Sequence, residues 1–331
     1  MRTAGLVLLI VVSLGFDFTN GFHDAANAVA VSITTRALRP MTALGMAALL
    51  NVVGALVSTR VAATVGSGII TAPSGSHGLV IVFSALVGAI LWNLLTWRLG
   101  LPSSSTHALI GGLIGAAVAS ASTVKWSGVV DKVIVPMLAS PVIGLLLGYL
   151  VMVAILWLFR RVRPNTVNRG FRRGQTASTA AMAFSHGTQD AQKTMGIITL
   201  ALVTTGHLDH FHVPLWVVLA AASAMGLGTL AGGWRVIRTL GSRITPLDPP
   251  RAFAAQTAAS TVLLVSAYGY AMPVSSTHVI TTSIMGAGAS RRLSAVRWGV
   301  AQQVVVAWIL TIPGSALAAW VAYHAVHTFV N

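Results

Sequence analysis

The sequence predicts an all-α polytopic membrane protein made of two inverted-topology repeats, with broken or re-entrant helices at the substrate site. Three observations carry this. First, only 8% of the 331 residues are charged and 55% are hydrophobic, where a soluble chain carries about a quarter charged residues. Second, apolar runs at 41–57, 79–97, 133–159, 213–233 and 300–330 reach or approach the roughly 20 residues a helix needs to cross a bilayer. Such unbroken runs exclude a transmembrane β-barrel, whose strands alternate. Third, two polar motifs embedded in apolar sequence each occur twice.

The first motif is Asn20-Gly-Phe-His-Asp-Ala-Ala-Asn-Ala28, and its second copy is Ser185-His-Gly-Thr-Gln-Asp-Ala-Gln-Lys193. Gly21 aligns with Gly187, Asp24 with Asp190 and Ala25 with Ala191. A carboxylate inside a membrane-grade segment is costly and marks an ion or substrate path. The second motif is Leu101-Pro-Ser-Ser-Ser-Thr-His107, repeated as Met272-Pro-Val-Ser-Ser-Thr-His278. Proline followed by Ser/Thr is a helix start signal. A helix that starts at membrane depth presents free backbone N–H groups and the positive end of its dipole, which together form an anion site. Ser104, Ser105, Thr106, Ser275, Ser276 and Thr277 are the expected anion ligands; the plainer role for these hydroxyls is helix capping.

In chain order the first repeat covers 1–159, a hydrophilic Arg-rich linker 160–176, and the second repeat 177–331. Each half reads as a segment with the Asp motif (4–35, 177–205) and a plain span (41–58, 213–233). A Gly-rich polar loop (59–78, 234–251), a second span (79–97, 252–270), a Pro/Ser-broken segment (99–120, 271–289) and a last span (133–159, 298–330) follow. The N-terminal run has no A-x-A-like cleavage site before the Asp24 motif and is expected to be the first span. With the termini outside, most of the 21 basic residues fall on the inner side. The exceptions are Arg2, Arg60, Lys125 and Lys132 outside and Lys193 within a span. This positive-inside bias places the Arg-rich loop in the cytoplasm and makes equivalent segments of the two halves cross in opposite directions. The net charge of +15 is therefore a topology signal, with no nucleic-acid partner; the partners are the bilayer and a small anion.

The chain has no cysteine, so thiolate metal sites and cysteine nucleophiles are absent. Its acids are all aspartates. Asp131, Asp209 and Asp248 read as solvated loop residues, and Asp17 as a structural or entry residue. Asn20, Asp24 and Asn27 share one helix face, and a carboxylate with amide oxygens can hold a hard cation such as Na⁺. In the second copy Lys193 replaces Asn27 and His186 replaces Asn20. A fixed ammonium beside Asp190 stands in for a bound cation, which favours proton over sodium coupling. His107 and His278 are further candidates as proton carriers or substrate donors, against a plain structural role. His207, His210 and His212 with Asp209 form an outer-loop cluster that reads as solvated. No cofactor and no resident metal is expected.

Together the two motifs resemble the inorganic phosphate transporter family, over nearly the whole chain. The first motif and the Gln192-Lys193 pair are most similar to the bacterial low-affinity, proton-coupled members. The resemblance implies inverted repeats, a homodimer in the plasma membrane, and symport of phosphate with H⁺ or Na⁺, in part as a neutral metal–phosphate complex. Phe22-His23 and Thr188-Gln189 stand where Ala-Asn is common, which makes Gln189 another candidate and leaves the coupling ion open. Some members of the family carry sulfate. A rival of another class, an intramembrane serine hydrolase, is disfavoured because no G-x-S-x-G is present and every candidate residue is duplicated.

Overall fold

The computed structural model describes residues 2–330, side chains excepted at Arg2, Phe329 and Val330. The described residues are helical with no strand, apart from one isolated bridge between Ile70 and Val124. The first half runs α1 (Arg2–Thr34), α2 (Pro40–Val57), α3 (Arg60–Ser67), α4 (Ser76–Leu99), α5 (Ser105–Ala119) and α6 (Trp126–Leu158). The second runs α7 (Pro164–Thr204), α8 (Leu215–Ala231), α9 (Trp234–Arg243), α10 (Pro249–Leu264), α11 (Ser276–Ala289) and α12 (Trp298–Val330). The order of long, short and broken helices is the same in both. Five of these helices are long and apolar enough to cross a membrane, and α8 with α9 forms a further pair bent by 61°.

The halves are interlocked. α1 packs on α8 and α7 packs on α2; α6 packs on α10 and α11, and α12 on α4 and α5. Glycine makes the closest of these crossings. A Cβ on Gly21 would strike the Met225 carbonyl of α8, and one on Gly187 would strike Asn51 of α2. In a bilayer no hydrophobic force drives helices together, so backbone proximity at small residues is what holds them.

α5 and α11 are short. At about 1.5 Å per residue they span roughly 21–23 Å, less than the ~30 Å hydrocarbon core. Each begins deep in the protein after an extended Pro-Ser segment. Ser104 and Ser275 are their N-caps, accepting from His107 N and His278 N, both at 3.2 Å. α4 ends at Gly100 in the left-handed conformation (φ 69°), so the chain doubles back and α5 packs against α4.

Three sequence expectations change. The Arg-rich segment 160–176 is not a loop: from Pro164 it is the start of the 41-residue α7. Its charge suggested solvated coil, but Pro at the first turn starts a helix, and Phe171 is held between Phe159 and Phe253 at 5.3 and 5.1 Å. The polar loops 59–78 and 234–251 contain α3 and α9. α3 starts there because Gln192 Oε1 accepts from Val61 N (2.7 Å) and Ala62 N (3.1 Å), satisfying its first turn. Asp248 is the N-cap of α10, accepting from Arg251 N at 3.0 Å and pairing with the Arg251 guanidinium.

Candidate functional site

α1 and α7 lie against each other at the centre, and each presents its aspartate to the starts of α5 and α11. Asp24 Oδ2 accepts from Ser105 Oγ at 2.9 Å, and Oδ1 from Thr277 Oγ1 at 3.4 Å. Asp24 is thus bound by the serine cluster of its own half and by that of the other. Asn27 Nδ2 donates to Ser276 Oγ (3.2 Å) and Thr277 Oγ1 (3.0 Å). Ser276 Oγ donates to Asp190 Oδ2 at 3.3 Å. Lys193 Nζ lies 3.3 Å from Asp190 Oδ1 and donates to Ser105 Oγ at 2.8 Å. Asp24, Ser105, Lys193, Asp190, Ser276, Thr277 and Asn27 therefore close into one ring of contacts.

None of these side chains, nor Thr106, is more than 3% exposed. The cluster is shut off from water. Burying a charge is tolerable only when it is paired and hydrogen-bonded, which the ring provides. Two helix N-termini meet at it, and at each the first two residues, Ser105 and Thr106 or Ser276 and Thr277, have backbone N–H groups with no partner inside the helix. The arrangement puts anion-binding groups, the helix N-termini and their hydroxyls, beside carboxylates that can hold a cation or a proton.

A model of the phosphate transporter family matches residues 20–319 of the chain. The chain belongs to the phosphate transporter family. Proteins carrying the name "Probable low-affinity inorganic phosphate transporter" are similar throughout. The one from Mycobacterium tuberculosis is 47% identical over 97% of this chain and 78% of its own length. That from Rhizobium meliloti is 46% identical, over 97% and 96%, and that from Bacillus subtilis 41%, over 96% of each. Among solved structures, one described as "The sodium-dependent phosphate transporter" superposes with a TM-score of 0.86 over 98% of this chain and 99% of that one; at 22% identity this shows the fold. The family is one of transporters, so the hydrolase reading of its Ser, His and Asp residues falls away.

The remaining residues of this family member sort into supports and neighbours. Ser104 and Ser275 spend an acceptor on capping. Gln189 Nε2 donates to the Leu263 and Met272 carbonyls at 3.2 and 3.4 Å, holding the turn before α11. His107 and His278 meet edge-on at 4.8 Å, and His278 stacks on Trp308 at 3.9 Å; no contact to either carboxylate is made. Asn20 does not join the ring. It lies instead with Asp17, whose buried carboxylate faces Lys193, Thr194 and Asn20.

Two histidines not expected in the site lie at its heart. His23 Nδ1 is 2.7 Å from Asp24 Oδ1, and its Nε2 is 3.3 Å from Thr96 Oγ1, which in turn meets Ser103 Oγ at 2.8 Å. His186 Nε2 is 3.0 Å from Asp190 Oδ2 and its Nδ1 is 3.3 Å from Asn51 Oδ1. The i, i+4 spacing of His186 and Asp190 was the signal that could have found the second. Asp24, His186 and Asp190 bring one ligand atom each within 4.8 Å of one another. That spacing fits a cation, but the Lys193 ammonium already neutralises Asp190.

Proposed function

We infer that the chain is a secondary active symporter importing inorganic phosphate with protons across the plasma membrane by alternating access. The observation that carries this is the closed ring in which both aspartates share the hydroxyls of both broken-helix starts. In this reading phosphate is held by Ser105, Thr106, Ser276 and Thr277 and their backbone N–H groups, while Ser104 and Ser275 fix the helix starts. The ring holds two carboxylates, Asp24 and Asp190, and one ammonium, Lys193. A phosphate anion added there needs accompanying positive charge, and Asp24 is placed to carry it. Entry of anion and cation together lowers the net charge crossing the low-dielectric barrier. The positive-inside bias supports outer termini and a cytoplasmic start of α7.

Sodium coupling is the second reading. Asn27 Oδ1 is buried without a hydrogen-bond partner, and Asn27 and Asp24 share Thr277, hard oxygen donors of the kind sodium takes. A metal–phosphate complex would use the Asp24, His186 and Asp190 cluster, with the metal as cargo. Saturable radiolabelled phosphate uptake into proteoliposomes tests the substrate. Arsenate should compete and excess sulfate should not; equal competition by sulfate would reassign the anion.

A further inference from the structure

Outside the buried ring, four arginines converge on one cleft of about 420 Å³ where α4 ends against α9. It is lined by Arg98, Leu99, Trp234, Arg235, Arg238 and Arg243, and no aspartate borders it. The geometry points to a second anion site here that takes a phosphate-bearing ligand, either free phosphate or a phospholipid headgroup.

The arginines are not a diffuse fringe. Arg235 is pinned, donating to the Arg98 carbonyl and lying over the Trp97 ring at 5.7 Å. Arg297 donates to the Ser242 carbonyl at 3.1 Å and so braces the turn carrying Arg243. The Arg238 and Arg243 side chains make no hydrogen bond or ion pair among the described residues, which leaves their guanidinium forks free for the bidentate geometry that phosphate oxygens accept. Exposed Leu99 and Trp234 (59% and 48%) border the charged cleft with an apolar edge, the pairing of surfaces that a lipid headgroup with its chains meets at a membrane interface.

The cleft also touches the transport machinery. Thr239 Oγ1, from α9, donates to the Gly100 carbonyl at 2.7 Å, so the α4–α5 turn hangs on the helix that bears the arginines. Ser103 in the same stretch reaches His23 and Asp24 through Thr96. An anion bridging Arg98 to Arg238 and Arg243 would clamp this turn, and with it the start of α5.

The test uses the full chain in nanodiscs, as wild type, R238Q/R243Q, and R291Q/R292Q as a control that removes equal charge from another exposed basic turn. In one arm, equilibrium binding of radiolabelled inorganic phosphate is measured in zwitterionic lipid. In the other, native mass spectrometry reads retention of phosphatidylglycerol against phosphatidylcholine. R238Q/R243Q should weaken binding about tenfold or more per lost charge-assisted contact while the control leaves it unchanged. Loss in the first arm identifies free phosphate as the ligand, and loss in the second identifies the lipid. Binding unaltered by R238Q/R243Q in both arms, or lowered equally by R291Q/R292Q, would overturn the site and leave these arginines as topology determinants.

Discussion

Asp24 and Asp190 occupy equivalent places in two matching halves, yet their surroundings differ. Both sit on a central helix pressed by a glycine against the second helix of the other half, and both accept from a serine at a broken-helix start. Asp24 has hydroxyls, an amide and a histidine around it. Asp190 has an ammonium at 3.3 Å as well as a histidine. The repeat supplies the frame, and one residue exchange, Asn27 against Lys193, divides the labour. In the function proposed above, the Lys193 ammonium at 3.3 Å neutralises Asp190, and Asp24 is the carboxylate assigned to exchange a cation during transport.

The comparison can be broken first at Asp24. Asp24→Asn should reduce gradient-driven phosphate uptake to that of empty liposomes while the protein still reaches the membrane and elutes as a folded species; normal uptake would remove Asp24 from the coupling role. Lys193→Asn makes the second half chemically like the first. Breaking a buried pair costs about 3–5 kcal/mol, so a clear fall in detergent melting temperature is expected, with stability regained in Asp190→Asn/Lys193→Asn. A Lys193→Asn protein as stable as wild type would show that the ammonium is not needed at Asp190.

Smaller effects sharpen the shared frame. Gly21→Ala and Gly187→Ala each place a methyl against backbone of the exchanged helix, and overpacking of this kind costs about 1–3 kcal/mol. Losses in thermal unfolding are expected from both, the larger at Gly187, where the added methyl would come closer to backbone than at Gly21; a loss at one site alone would mean the halves do not bear load alike. Ser104→Ala and Ser275→Ala remove N-caps worth about 1 kcal/mol each, a shift of about 2 °C in melting temperature, and a much larger effect on phosphate affinity would show that these hydroxyls bind the anion directly.

Much of this was legible in the sequence because polar residues in apolar runs are so costly that they mark themselves. Asp24, Asp190 and the two Ser-Ser-Thr stretches stood out for that reason, and the structure brings them together. What sequence concealed was of two kinds. Arg169, Arg172 and Arg173 looked like a solvated loop because charge density masks helical propensity; Pro164 at the first turn was a start signal, and the docking of Phe171 on Phe159 and Phe253 adds what the sequence could not show. Gln192 looked like a motif residue, but its work is to satisfy the first turn of α3, a contact between halves that no local pattern reveals. His23 and His186 are a mixed case: each meets a carboxylate close by in sequence, a local signal, while the second partners Thr96 and Asn51 lie on other helices. The exchange of α6 and α12 between halves is likewise a property of packing alone.

The most direct measurement is phosphate uptake into proteoliposomes holding the wild-type chain, comparing an imposed inward proton gradient with an inward sodium gradient at equal membrane potential. Lys193 standing in for a cation at Asp190 predicts uptake driven by protons without sodium. Uptake that requires sodium and ignores the proton gradient would contradict it, and would make Asp24 with Asn27 a sodium site.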